Sequence, residues 1–490
     1  MFGLNLSKSS RSKRIVTDVF IYGISDLALK ASAFITMPVY TRIFTTADYG
    51  VINFLSTTQA ILIGLISLGN VNVYHRFYFD AKNHEEIKEL TSTWLIFLIL
   101  WSLAAIFFLF PFVNIFLELM IDEGKNSTAN IFAIATIPLI IISSLFNQVL
   151  RNQFRAKLFS LLNILTSLLS ISLGLVLIVL FGFKVEGIFI GLFTSYCTFI
   201  FIRLWFVREL IQFSVSITKL KELLKYGIPF VPFSLSAWIF NGADRYMIAH
   251  LSTLSELGLY SVGFNIASVL MLINSAVGQS WAIHALSIYA EQKNEASILF
   301  GRMFTLILLL FSFLGVGIVL FGNELLYLLA SNEFMDSKHV ILPLVLSFIA
   351  MSTTQVTGLG ISIAKKTKYF AYIGWLTAVV NVWLNYLFIP KYGMVAAGWS
   401  TCASYIIVTI SYGVISHQFI KTQYQWNKIV AALIGVIVVM LLSQLIQYNN
   451  IVINCILKLS LFAIFIIYIF SVKLVKTGDI MTFKALILKR

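Results

Sequence analysis

Charged residues are scarce in this chain. Asp, Glu, Lys and Arg make up 11% of its 490 residues, whereas soluble domains carry about 25%. Hydrophobic residues reach 59% and the mean hydropathy is +0.91, which excludes a soluble enzyme and a disordered chain. Only three cysteines are present, so a disulfide scaffold is excluded too, and all three lie in apolar stretches typical of buried thiols.

Sequence motifs of catalysis are missing as well. No G-x-x-x-x-G-K-[ST] phosphate loop, G-x-S-x-G nucleophile turn, Asp-x-Asp pair or Cys/His metal spacing occurs. The six histidines are scattered singly, and the polar stretches are too short to hold a nucleotide-binding domain. We therefore expect no enzyme activity, no resident cofactor and no metal site.

Apolar runs are abundant in the chain. A membrane helix needs about 20 mostly apolar residues, and fourteen runs of suitable length occur. The predicted spans are 15–41, 49–75, 90–112, 129–150, 158–181, 186–207, 223–249, 257–284, 299–321, 339–363, 369–389, 394–417, 428–447 and 451–472. The predicted fold class is an all-α integral membrane protein with about 14 transmembrane helices.

Lys and Arg are unevenly distributed between these runs. If both ends of the chain lie in the cytoplasm, 27 of the 35 basic residues fall on the cytoplasmic side and six on the other. Loops rich in Lys and Arg stay cytoplasmic, so we predict that the basic tails 1–14 and 473–490 are both cytoplasmic. The asymmetry also accounts for the formal net charge of +14, so no nucleic-acid partner is expected.

The sequence repeats itself. Residues 155–187 align without gaps on 366–398 at an offset of 211, with matched Lys, Phe, Leu-Thr and Gly positions. Near the start of each half, Ala47–Gly50 aligns on Ser255–Gly258 at an offset of 208. We predict two six-helix halves, 15–211 and 212–422, followed by an extra helix pair, 423–472. Transporters built from such halves bind substrate in the cleft between them.

Ionisable residues inside the predicted spans indicate function, because a charge at the bilayer centre costs about 2.5–3.5 kcal/mol on insertion scales. In the first span, Asp18, Tyr22, Asp26 and Lys30 recur every four residues and share one helix face. This face either lines an aqueous cavity or holds a self-neutralising Asp26–Lys30 pair against neighbouring helices. Both interpretations stay open.

The seventh span places Trp238, Asn241 and Arg245 on one face, with Asp244 beside them. The alternative is that Asp244 and Arg245 form an ion pair at the outer membrane surface. Polar residues of the second and eighth spans either line the same cavity or join helices by hydrogen bonds, and the tryptophans either stack on sugars or form interfacial belts. The candidate cavity residues are Asp26, Lys30, Arg42, Asn70, Arg76, Trp238, Asn241, Asp244, Arg245, Gln279 and Trp281.

The motifs that open each half resemble those of one transporter family. They are Tyr22-Gly23, Pro38, Tyr40-Thr41-Arg42 and Asp48-Tyr49-Gly50 in the first half, and Tyr226-Gly227-Ile228-Pro229, Asp244-Arg245-Tyr246 and Glu256-Leu257-Gly258-Leu259-Tyr260-Ser261 in the second. Together with the spans and the repeat, they resemble the Wzx-type oligosaccharide flippases of the multidrug/oligosaccharidyl-lipid/polysaccharide exporter (MOP) superfamily. The resemblance covers nearly the whole chain and departs at His250, where relatives often have glycine.

This resemblance implies a bacterial inner-membrane protein that moves an oligosaccharide linked to undecaprenyl pyrophosphate between the leaflets. The product would be O-antigen and lipopolysaccharide, capsule or another surface glycan. Membrane lipids and the polysaccharide polymerase machinery are the implied partners. The residues are compatible, because Lys30, Arg42, Arg76 and Arg245 could replace part of the hydration of an anionic pyrophosphate.

Two other functions remain open. A multidrug exporter of the same superfamily would place a coupling acid on the first span, where Asp18 and Asp26 lie, although Lys30 would repel cationic drugs. A membrane glycan polymerase or ligase would need a large outer loop, and the longest outer polar stretches, 118–128 and 322–338, are short. For a flippase, the energy source is open: H+ or Na+ antiport through Asp26 or Asp244, or flow down the substrate gradient.

We expect a reporter domain fused after Arg490 to lie in the cytoplasm, because the basic side of the chain stays there. Protease protection of the reporter in intact cells measures this. Exposure of the reporter outside the cell would contradict the predicted topology.

Overall fold

A computed structural model describes residues 34–120, 127–291, 293–446, 451–472 and 474. Within these ranges the regular structure is helical and contains no strand, which confirms the predicted all-helical class. The first predicted span, 15–41, with Asp26 and Lys30, lies mostly outside the described residues.

The helices follow one another with short connections, as the alternation of apolar runs and polar clusters predicts. They are α1 (34–43), α2 (Thr46–Ile66), α3 (Asn70–Asp80), α4 (His84–Met120), α5 (Ser127–Asn152), α6 (Ala156–Phe181), α7 (Val185–Val207), α8 (Ile217–Gly227), α9 (Phe230–Leu251), α10 (Leu254–Ala267), α11 (Val269–Glu291), α12 (Lys293–Leu320), α13 (Gly322–Leu329), α14 (Lys338–Thr357), α15 (Leu359–Ile363), α16 (Lys368–Phe419), α17 (Trp426–Leu445) and α18 (Ile451–Ser471).

Ten helical segments among the described residues are long and apolar enough to cross a membrane, or eleven if the bent pair α10 and α11 counts as one span. α16 has 52 residues and would extend about 78 Å if straight, more than twice the apolar thickness of a bilayer. It breaks at Gly393, where φ is 57°. The predicted spans 369–389 and 394–417 are the two parts of this helix.

The outward surface of the helices is apolar. On α4 the side chains of Phe107 and Phe112 are 75% and 74% exposed, and only 11% of the most apolar stretch of this helix is buried. α5 and α12 are more buried, with 67% of the corresponding stretch covered by other parts of the protein. Phe and Leu side chains that are exposed along the whole length of a helix are typical of contact with lipid, because so much apolar surface would be unfavourable in water.

The described chain divides into two compact units. The first holds Val51–Arg245 with the described residues before Met37, and the second holds Met37–Gly50 with the described residues from Tyr246 onward. The predicted boundaries of the halves at 211 and 422 stay predictions.

Polar side chains join the helices of the first unit. Arg203 of α7 is buried, and its Nε donates to Oδ1 of Asn147 on α5 at 3.1 Å. Its Nη2 donates to Oδ1 of Asn163 and Oγ1 of Thr166, both on α6 and both at 3.0 Å. One guanidinium group therefore connects three membrane helices.

The internal repeat is visible in the backbone. Phe154 and Lys365, which are 211 residues apart, have left-handed φ angles of 57° and 56°. Gly182 and Gly393, at the same separation, have φ angles of 71° and 57°. A left-handed φ is uncommon in a residue other than glycine. The offset of 211 residues found in the sequence therefore also separates two pairs of residues with left-handed backbone angles.

A buried ion pair fastens the last helix of the second unit. Nζ of Lys458 on α18 donates to Oε1 and Oε2 of Glu324 on α13 at 2.6 and 2.8 Å. The lysine side chain is 5% exposed and that of the glutamate 21%. Lys458 lies inside the predicted span 451–472, where a lone charge would be costly, and Glu324 offsets its charge.

We expect Lys458→Met or Glu324→Gln to destabilise the protein, because removing one partner leaves a buried charge uncompensated. For a fully buried pair the loss is about 3–5 kcal/mol, and the partial exposure of Glu324 places this pair toward the lower end. Thermal unfolding in detergent measures it as a lower Tm. Glu85→Gln, in the exposed Lys88–Glu85 pair, is the control and leaves Tm nearly unchanged. An unchanged Tm in both single variants of the buried pair would contradict its structural role.

Candidate functional site

The structure describes seven of the eleven candidate side chains, and these belong to α1, α3, α9 and α11. Asp26 and Lys30 lie outside the described residues, and Asn241 and Gln279 lie on α9 and α11 without described side chains. Within the described residues no group of three His, Cys, Asp or Glu side chains is placed to hold a metal ion.

Asn70, at the start of α3, connects helices. It is buried, and its Nδ2 donates to the Ile141 carbonyl at 3.2 Å and to Oγ of Ser144 at 2.8 Å. Nε1 of Trp94 donates to its Oδ1 at 2.7 Å. The amide therefore already has three partners from α4 and α5, as the helix-joining interpretation predicted.

Arg42 and Arg76 are exposed cations. Nη1 of Arg42 donates to the Pro38 carbonyl at 2.6 Å, and Nη2 reaches the Leu328 carbonyl at 3.4 Å. Nε of Arg76 lies 3.2 Å from Oδ2 of Asp80, with both side chains more than half exposed. Among the described residues the partners of Arg42 are carbonyls, which leave its charge uncancelled, whereas Asp80 offsets the charge of Arg76. Arg42 is thus the stronger candidate for an anionic ligand.

The α9 candidates lie close together near the end of the first unit. Asp244 is 5% exposed and Arg245 is half-buried. A Cβ at Gly242 would lie 3.1 Å from Nε1 of Trp238, so this glycine provides room for the indole. A carboxyl group buried in an apolar span is expensive to retain, which keeps Asp244 a candidate functional group.

Trp281 on α11 is buried at 3% exposure, and its ring meets that of Phe300 edge-on, with centroids 5.9 Å apart. Asn274, seven residues earlier on the same face, is also buried. Between them, Gly278 leaves space for the side chain of Gln355 on α14. The indole therefore packs inside the second unit, against Phe300.

Sequence reasoning missed a close contact between two helices, which lies at the starts of α2 and α10. A Cβ at Gly50 would collide with the Leu254 carbonyl, and a Cβ at Gly258 with the Thr46 carbonyl. Oγ1 of Thr46 and Oγ of Ser255 are hydrogen-bonded at 2.6 Å. We call this contact, formed by residues 46–50 and 254–258, the helix-start junction.

The helix-start junction is symmetric. Leu254 follows Thr46 by 208 residues, and Gly258 follows Gly50 by the same number. Gly50 faces the carbonyl of Leu254, and the equivalent Gly258 faces the carbonyl of Thr46. A signal that could have found it is present in the sequence, because Ala47–Gly50 and Ser255–Gly258 are aligned repeats. Such an alignment shows that two segments are equivalent but not that they touch.

Polar contacts extend the helix-start junction. Nδ2 of Asn265 on α10 donates to the Tyr49 hydroxyl at 3.2 Å, and the Tyr49 ring meets that of Phe334 edge-on. Oε2 of Glu256 accepts from the Met394 amide at 2.7 Å, just after the break at Gly393. Asp48 and Glu256 both lie in a first helical turn, where a carboxylate offsets the positive end of the helix dipole.

Comparison with known sequences adds independent information. Residues 15–282, more than half of the chain, match the model of a family described as "Polysaccharide biosynthesis protein". The chain is also 22% identical over 216 residues to the "Probable low-salt glycan biosynthesis flippase Agl15" of Haloferax volcanii. This match spans 44% of the chain and 46% of that relative, less than half of its length.

Solved structures share the fold. The structure of "Lipid II flippase MurJ, inward closed conformation" matches with a TM-score of 0.73 and 12% identity, over 92% of this chain and 99% of that one. An inward-facing "multidrug resistance MATE family transporter of the MOP superfamily" matches with a TM-score of 0.54 and 15% identity, over 86% and 96%. By their names these proteins are flippases and transporters and not enzymes, as expected for this chain.

We expect Gly258→Ala to destabilise the protein by about 1–3 kcal/mol, because the added methyl group meets backbone atoms of Thr46 and Gly50 that cannot rotate away. Thermal unfolding of the purified protein measures the loss. Gly374→Ala on α16 is the matched control, since a Cβ there meets nothing within 4 Å. Equal stability of the two variants would show that the helix starts do not approach this closely.

Proposed function

Because the chain belongs to the polysaccharide biosynthesis protein family, we propose that it is a flippase for an oligosaccharide linked to undecaprenyl pyrophosphate. In this proposal it acts in the bacterial cytoplasmic membrane, moves the substrate from the inner to the outer leaflet, and supplies assembly of a surface glycan such as O-antigen or capsule. The family match also confirms the resemblance drawn from the motifs.

One observation supports this proposal above the others. The fold agrees better with the structure of a lipid II flippase than with the multidrug transporter structures of the same superfamily. The named glycan flippase of Haloferax volcanii supports the same substrate class. One of these proteins is named as a lipid II flippase and the other as a probable glycan biosynthesis flippase, which favours a lipid or glycan substrate over a small drug.

The described residues supply chemistry that such a substrate needs. A pyrophosphate group carries negative charge, and the carbonyl-bound guanidinium of Arg42 and the half-buried Arg245 can replace part of its hydration. Sugars require hydrogen-bonding groups and flat apolar faces, for which Asn241, Gln279, Trp238 and Trp281 remain the candidates. Asp244 is the described carboxyl group that could exchange H+ or Na+ during a transport cycle.

Alternating access assigns a role to the helix-start junction. By the distribution of basic residues, the loops that precede α2 and α10 lie on the outer side of the membrane. In the described state the two helix starts are in contact through Gly50 and Gly258. We infer that release of the substrate to the outer leaflet requires this contact to open.

An ion-coupled multidrug exporter is the second candidate, because multidrug transporters of the superfamily share the fold. The two candidates differ in the sign of charge in the cavity. An exporter of cations needs a net acidic cavity, whereas a pyrophosphate carrier needs net basic character.

We expect deletion of the gene to abolish the surface glycan and to cause full-length oligosaccharide units on undecaprenyl pyrophosphate to accumulate inside. Lipid extraction with mass spectrometry, together with surface-glycan analysis, measures both. Return of the wild-type gene restores export. Lys30→Ala and Arg245→Ala restore it poorly, whereas Lys184→Ala, at an exposed loop cation outside the candidate set, restores it fully.

Two outcomes would contradict the proposal. An intact surface glycan combined with altered drug sensitivity would favour the exporter. Full export by both the Lys30→Ala and the Arg245→Ala variants would disprove the cationic cavity while leaving the flippase activity intact.

A further inference from the structure

The polar segment that connects α7 to α9 has large apolar side chains on its surface. Phe213 is fully exposed, Ile217 is 68% exposed and Ile228 is 55% exposed. Phe213 and Ile217 lie between the predicted spans 186–207 and 223–249, so contact with the hydrocarbon core does not account for them, and Ile228 lies near the start of the second of these spans. Large apolar side chains exposed along a connection are typical of a binding surface.

Cations share this surface. Lys221 and Lys225 of α8 are exposed, and they follow Ile217 at intervals of four residues on one helix face. In the described ranges neither lysine forms an ion pair with a carboxylate, although Glu222 is exposed beside them. We call Phe213, Ile217, Lys221, Lys225 and Ile228 the linker face.

The opposite side of the segment is fixed to the first unit. The Gln212 amide donates to Oγ of Ser92 at 2.7 Å, and the Ser216 amide donates to Oγ1 of Thr93 at 3.0 Å. Lys219 points inward, with Nζ 3.8 Å from Oε2 of Glu89 on α4.

The buried turn of α8 completes this attachment. Leu223 and Gly227 are buried, and a Cβ at Gly227 would lie 2.7 Å from the Leu68 carbonyl. The linker face is therefore held in one orientation by its own helix.

The surroundings of the segment set its depth. Immediately before it, the Arg208 guanidinium lies over the exposed ring of Trp205, 5.1 Å from the centroid. Exposed Trp and Arg at the end of a membrane helix are typical of the lipid headgroup region. The charge asymmetry of the sequence assigns this connection to the cytoplasmic side, where the leaflet surface is anionic.

We propose that the linker face binds the anionic headgroups of the inner leaflet of the membrane that the protein spans. Phe213, Ile217 and Ile228 enter the boundary between headgroups and acyl chains, and Lys221 and Lys225 contact lipid phosphates. We favour a lipid surface over a protein partner because the two uncompensated lysines complement its negative charge. The apolar side chains beside them can insert a few ångströms into the same surface. The connection between the two halves is thereby held at the membrane surface, whatever the protein transports.

The test uses the full-length protein in vesicles, with the native cysteines Cys197, Cys402 and Cys455 replaced by serine and Phe213→Cys labelled with a polarity-sensitive dye. The vesicles are phosphatidylcholine alone or phosphatidylcholine with one quarter phosphatidylglycerol. We expect blue-shifted emission and quenching by lipids that carry a nitroxide near the headgroup, both stronger with phosphatidylglycerol.

A charge variant separates the lysines from the apolar residues. Each lysine near an anionic surface strengthens binding about fivefold, so Lys221→Gln with Lys225→Gln weakens the bound state about 25-fold and removes the phosphatidylglycerol effect. Lys365→Gln with Lys366→Gln, at another exposed basic turn, is the matched control and leaves the signal unchanged.

Water-like emission without quenching in both vesicles would overturn the proposal. Quenching that is the same with and without phosphatidylglycerol would overturn its anionic component. A signal that requires added cytosolic protein would assign the face to a protein partner instead.

Discussion

Two helices can begin in backbone contact only because each has a glycine where a side chain would collide with the other. Gly50 and Gly258 provide this at the helix-start junction, and the Thr46–Ser255 hydrogen bond closes it. The contact also positions a later part of the second unit, because Glu256 of the junction holds the amide of Met394 at the break of α16. A loss of either glycine would separate the helix starts and release these dependent contacts together.

Polar groups inside a membrane need hydrogen-bond partners from the protein itself, because no water is there to supply them. Three described groups have such partners: Asn70 binds α4 and α5, Arg203 joins three helices, and Lys458 is paired with Glu324. Each of these groups stabilises the packing of helices against one another. Asp244 and the exposed cation Arg42 remain candidates for a substrate or ion pathway, because a carboxyl group buried in a span is costly to retain and an exposed guanidinium group can meet an anion.

Much of the fold could be predicted from the sequence. Apolar runs located the helices, and the offset of 211 residues matched the left-handed positions at Phe154 and Lys365. The pairing of groups could not be predicted, because periodicity shows which face of its own helix a residue occupies and not which neighbour it meets. Lys458 and Glu324 are 134 residues apart, and no local pattern connects them. For the same reason the sequence did not predict that the ring of Trp281 packs against Phe300.

Movement of a lipid-linked oligosaccharide across the bilayer, in our proposal, requires the helix-start junction to open. The hydroxyl oxygens of Thr46 and Ser255 are 2.6 Å apart, so cysteine sulfurs there would be near the disulfide length of about 2 Å. The decisive measurement is translocation of the lipid-linked oligosaccharide in vesicles containing the purified Thr46→Cys/Ser255→Cys variant. We expect transport under reducing conditions, arrest after oxidation and recovery after reduction, with both single variants active throughout. Unchanged transport by the fully cross-linked protein would contradict this mechanism.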